Sequence, residues 1–343
     1  MAETIDTALE LLQGYGPEFR RLSNHGPMAA EALLRLGRGE VVVGWVERYR
    51  ERLDRRPSPG EPVDRRLWRP ALGDFERVAD WRQLFDEALT EDGWRSTLSQ
   101  WVPRLAPGLA AAGFHGLIRT AHAARSLSDN ETDLRLGELA EGLAFWAARY
   151  QEMPGVPSGA RSGSATPPLA LLDVPFLPEE RRVNGLISDE LASLNGFTPF
   201  LPVVDLIAIP DPVRTISGIT ATFARVFIAN MDSAAFSFIH SVTGPSALRM
   251  LLPFLEEADA RTAVRYAWQA AAGLYAAVGH TPSIGFEPQI IDDDELIDRA
   301  VATRDEHAIK FTEACLREER IHPDPAFRES AGRLSASLGT PPA

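Results

Sequence analysis

Apolar residues recur along most of this chain at the three- and four-residue spacing of a helix face, with almost no alternating stretches. Residues 4–13 (TIDTALELLQ) predict a short amphipathic helix stopped by Gly14. Asn24-His25-Gly26-Pro27 opens a second helix, with Pro27 at its first position and Gly37 after its last. Val42, Trp45, Val46, Tyr49 and Leu53 form the stripe of a third. Further helices are predicted near 78–90, 92–101, 104–127 and 131–150, then near 214–242, 245–256, 257–279 and 292–320. Asp292–Asp294 place negative charge at the start of the last, where the helix dipole favours it.

Breaks in the pattern give the organisation. Residues 55–75 are a Pro-rich surface connection, and 153–182, dense in proline and glycine, read as a long loop or flap between two helical halves. A few short strands have room only in 198–209 (TPFLPVVDLIAI). From Pro323 the chain turns small and polar, which predicts a frayed tail. The expected fold is therefore all-α: one large helical domain over 1–322, about ten helices in two halves joined by 153–182, and a flexible tail over 323–343.

Composition narrows the function classes. The 343 residues are 45% hydrophobic and 24% charged, as in an ordinary folded protein. A net charge of −13 disfavours nucleic acid and anionic lipid as partners. The start, MAETIDTALE, has no signal-peptide character, and no apolar run is long enough to span a membrane, so a cytoplasmic location is expected. The lone Cys315 excludes an internal disulfide and any cysteine-rich zinc site. P-loop, GxGxxG, GxSxG, HExxH and paired Glu-x-x-His motifs are all missing.

What remains is histidine on helices, and one lysine. Of the 35 basic residues only Lys310 is lysine. Arginine replaces lysine at most solvated positions, but not where the amine must lose its proton. Lys310 is predicted on the edge of an inward stripe formed by Ile297, Ala300, Val301, Arg304, Ala308, Phe311 and Cys315, one turn after His307. A neutral lysine there can act as a base or take up carbon dioxide as an anionic carbamate. His115 and His122, seven apart, share a face with Gly108, Ala111, Arg119 and Ser126; about 10 Å of rise separates them, so one is a ligand and the other a neighbour, or both are hydrogen-bonded interior residues. His25 stands in a constrained turn, and His240 follows Ala229, Ser233, Phe236 and Ser237 on a largely apolar helix. His280 and His322 are explained by a helix end and the tail. Imidazole donors suit iron, zinc, copper or nickel.

Through these residues the chain resembles the questin oxidase-like family. The likeness runs over LSNHGPMAAEALLRLG (22–37), WVPRLAPGLAAAGFHGLIRTAHAAR (101–125), LAEGLAFWAARY (139–150), IHSVTGPSALR (239–249) and DEHAIKFTEACLRE (305–318). The two-histidine segment and the His-x-x-Lys helix are its most specific parts, and 153–182 carries little of it. The resemblance implies an oxygenase that opens aromatic polyketides such as anthraquinones by Baeyer–Villiger-type cleavage of a carbon–carbon bond, with O2 as co-substrate. It also implies a non-haem Fe(II) centre of four histidines and a carboxylated lysine: Lys310 and His307, with His25, His240, and either His115 or His122. Trp68, Trp101, Phe114 and Trp146 offer stacking surface or core. Arg119, one turn beyond His115, is the candidate to stabilise a developing enolate or phenolate, or else a structural ion pair. Rival expectations are a metal-free monooxygenase using NADPH as external reductant, a non-catalytic polyketide-binding protein, and Schiff-base chemistry at Lys310.

Overall fold

The structure is a computed structural model that describes residues 2–158 and 163–339. The fold is all-α: fourteen α-helices stand among the described residues, and the only sheet there is the two-residue antiparallel pair β1 (Glu18–Phe19) and β2 (Leu22–Ser23). No described helix is long and apolar enough to cross a membrane. The chain divides into two compact units. One is Met1–Gln151 with Pro253–Leu255; the other is Glu152–Leu252 with Glu256–Ala343.

The first unit holds α1 (Ala2–Leu11), α2 (Gly26–Arg35), α3 (Gly39–Arg50), α4 (Val78–Asp92), α5 (Trp94–Leu105), α6 (His115–Asp129) and α7 (Asp133–Ala148). Its centre is α6 against α7, brought together by two glycines. A Cβ on Gly116 would lie 2.5 Å from Trp146 Cα, and one on Gly142 would lie 2.8 Å from the Thr120 backbone nitrogen. Trp101, Phe114 and Trp146 are fully buried, and Trp101 packs edge-on against Trp68, Trp81 and Phe85. These aromatics are core.

The second unit holds α8 (Pro167–Leu171), α9 (Ile187–Ala192), α10 (Pro212–Leu251), α11 (Glu257–Val278), α12 (Asp293–Thr303), α13 (Glu306–Ile321) and α14 (Pro325–Leu338). Helix α10 packs on α11, α13 and α14, with Phe223, Phe227, Trp268 and Phe311 between them.

Several boundaries differ from those predicted, each for a local reason. The helix expected over 104–127 breaks: Pro107 and Gly108 turn the chain through a 3-10 segment, and Ala112, Gly113 and Phe114 all have positive φ before α6 starts at His115. The helix expected over 292–320 is two, separated where Arg304 turns left-handed (φ +60°) and Asp305 caps α13. Conversely, the break expected at Gly244-Pro245 does not occur. Helix α10 runs through it and kinks instead at Ala234 (φ −147°, ψ 40°). Strands are absent from 198–209 among the described residues, apart from a single bridge from Ile207 to Ala165; Thr198–Asp205 is 3-10 helix. The 153–182 connection contains α8, and its residues 159–162 lie outside the described residues. Most of the expected tail is α14, whose apolar face (Ala326, Phe327, Ala331, Leu334) is buried; 340–343 lie outside the described residues. A short, moderately polar sequence is held helical there by packing, which local propensity does not report.

Candidate functional site

In the first unit, His25 and His115 form a stacked pair. Their ring centroids are 4.5 Å apart and their Nε2 atoms 2.6 Å apart, both residues being buried. His25 sits immediately before α2 in a rigid turn. Asn24 Oδ1 accepts from the Gly26 amide (3.0 Å), Asn24 Nδ2 donates to the Gly16 carbonyl (2.9 Å), and the His25 amide donates to Tyr49 Oη (2.7 Å). Position 26 favours glycine, because a Cβ would press on the Leu12 methyl groups at 3.0 Å.

His115 is aimed by the left-handed turn before α6. That turn brings the Ala112 carbonyl 2.6 Å from His115 Nδ1. A carbonyl only accepts, so Nδ1 carries the proton and Nε2 keeps its lone pair. Left-handed Ala112 and Phe114 cost on the order of 1–2 kcal/mol each, and such conformations concentrate where geometry serves function. Two nitrogens on adjacent corners of a metal's coordination shell, with bonds near 2.0–2.1 Å, lie about 3 Å apart. The His25–His115 contact has that character.

His122 is placed elsewhere. Its Nδ1 lies 2.8 Å from Glu31 Oε2, and the same carboxylate binds Arg35 and Arg125. Burial alone would raise the Glu31 pKa, but Arg125 and His122 hold it well below the carboxylate range. The structure pairs His115, not His122, with His25. Arg119 is also committed: buried, it donates Nε and Nη2 to the two oxygens of Glu138 at 2.6 and 2.7 Å, so the enolate-stabilising candidate stands in an ion pair. Burial disfavours its charge, and Glu138 more than restores it.

In the second unit, His240, His307 and Lys310 come together. The His240 and His307 rings meet edge to face at 5.7 Å, and Phe236 packs edge-on to His307 at 5.1 Å. His240 Nδ1 donates to the Phe236 carbonyl at 2.6 Å, leaving Nε2 as the donor atom. Burial, and then the neighbouring His307 and Lys310, keep its pKa well below normal, so the ring is neutral. His307 occupies the second position of α13. The Asp305 carboxylate caps the helix through the His307 amide (2.7 Å) and also lies 3.3 Å from the ring Nδ1. Lys310 is only 4% exposed rather than at a stripe edge; burial lowers its pKa to about 8 despite the opposing charges of Glu306 and Asp305. Arg304, expected to face inward with it, is exposed on the connecting turn.

Three ring orientations thus rest on groups that the sequence reading did not single out: the Ala112 and Phe236 carbonyls and Asp305. Only Asp305 left a signal in the chain, as a helix-capping residue two before a histidine. No protein-family model matches the chain, and no curated protein matches it either.

Proposed function

We propose that this protein is a non-haem iron oxygenase, with its metal ligands drawn from His25, His115, His240, His307 and Lys310, as the sequence resemblance implies. The observation that carries the reading is tautomer control: His115, His240 and His307 each present Nδ1 to a carbonyl or carboxylate acceptor, which reserves Nε2 for a metal. Histidines able to hold a metal are thereby available, and neutral imidazole suits iron. Lys310 fits the fifth place. With its pKa near 8, the fraction of neutral amine at neutral pH is on the order of a hundredfold above that of a solvated lysine, and only the neutral amine forms a carbamate.

Bound iron would supply the oxygen chemistry; the residues described here bind, orient and exclude water. Asp305 and the Ala112 carbonyl hold protons on the outer ring nitrogens, and the Phe236 ring covers one edge of His307. The substrate class, an anthraquinone-like aromatic polyketide, is taken from the sequence resemblance. Arg119 drops out of the catalytic set and His122 out of the ligand set in this reading, because Glu138 and Glu31 occupy them.

The test is iron content of protein purified without added metal, with oxygen uptake on a hydroxyanthraquinone. One iron per chain, lost on His115→Ala and equally on His307→Ala, is expected. Iron retained in either variant removes that histidine from the ligand set, and a metal-free protein with full activity overturns the oxygenase centre itself.

A further inference from the structure

The first unit contains a second chemical environment, independent of the imidazole pair. A cavity of about 490 Å³ opens between the loop after α1, helix α4 and helix α7, with Arg56, Arg82, Arg119, Glu138 and Glu141 on its walls. Ligand pockets for small metabolites begin at roughly 300 Å³. We propose that this cavity binds a small oxyanion-bearing ligand, a carboxylate or phosphate, through the three guanidinium groups.

The argument rests on donor accounting. Each guanidinium has five N–H groups and no acceptor. Arg56 and Arg82 converge on one oxygen of Glu141, Arg82 also pairs with Asp86, and Arg119 grips Glu138. Those carboxylates engage a minority of the N–H groups. Arg119 Nη1, buried, has no hydrogen-bond partner among the described residues. An unmatched buried donor is destabilising, and guanidinium forks match the paired oxygens of carboxylate and phosphate. Burial, and then neighbouring Arg56, disfavour the charge that Arg82 carries, in spite of Glu141, so an added anion offsets a repulsion already present. Asp133 at the rim opposes entry of highly charged ligands and favours one or two charges.

Gly137 supplies a way to close the cavity without touching a charge. It lies on α7 in the cavity wall, and a Cβ there would be 3.4 Å from Arg82 Nη2. The experiment is titration calorimetry and thermal unfolding of the full chain with inorganic phosphate and, separately, succinate, against sodium chloride at matched ionic strength. Saturable binding of at least one of the two, with a raised unfolding midpoint absent in chloride, is expected; which probe saturates identifies the ligand chemistry. Arg56→Gln should weaken that dissociation constant at least tenfold, and Gly137→Leu should remove the saturable phase. Shifts that are equal in chloride, that do not saturate, or that survive both substitutions overturn the proposal. Iron content is unaffected in either case, so this result stands or falls apart from the metal reading.

Discussion

The two units place their imidazoles by different physical means. In the first, aim comes from backbone shape: three consecutive left-handed residues set His115, and an asparagine-stabilised turn with a closely packed glycine sets His25. In the second, the side chains stand on regular helix, and what is unusual is electrostatic, a buried lysine beside two imidazoles with Asp305 as the nearby capping carboxylate. Conformational strain is a local cost that glycine can relieve. Desolvation is a cost of charge, and pH or an uncharged side chain relieves it. The two halves should therefore answer differently to substitution.

The largest effect should come from Lys310→Arg. Guanidinium cannot lose its proton under these conditions, so iron should fall from one per chain to below a tenth, read by elemental analysis with circular dichroism as a folding control. Normal iron loading would remove the carbamate from the reading. Next is the stability of the iron-free chain. Lys310 has a folded pKa near 8 against about 10.4 unfolded. Below pH 8 both states are protonated and the burial cost is complete; between about 8 and 10.5 the unfolded state binds more protons, so stability rises with pH. Lys310→Met should lack that rise and be more stable near neutrality by roughly 3 kcal/mol. Identical pH profiles for the two proteins would show the amine to be solvated.

Smaller again is Asp305→Ala. Loss of the α13 cap should cost about 1 kcal/mol, and release of the His307 ring should weaken iron affinity about ten- to a hundredfold. Asp305→Asn retains the cap but not the charge, so cap stability should recover while affinity does not. The smallest effect belongs to the first unit. Ala112→Gly relieves φ +50° and should leave stability unchanged or raised by up to about 1 kcal/mol. A loss of more than that would mean that the turn is not strained, and the contrast between the units would collapse.

Read from sequence alone, the periodicity established the helical class, and the Asn24-His25-Gly26-Pro27 turn showed where α2 begins. The solitary lysine among 34 arginines marked Lys310. Those signals are local, or compositional, and need no knowledge of neighbours. Tertiary structure decided the rest. Ala112 and Phe114 carry no left-handed preference, so although Pro107, Gly108 and Gly113 lie in the break before His115, helical spacing alone did not place it. Helix α10 continues through Pro245, and Pro325–Leu338 is helical, because packing outweighs residue propensity. His122 is drawn to Glu31 from 91 positions away, and Arg119 to Glu138 from 19. A histidine's spacing tells which face it shares; the acceptors of His115, His240 and His307 lie within four residues in the chain, but Glu31, which takes His122, is chosen across space, and spacing along one helix does not record it.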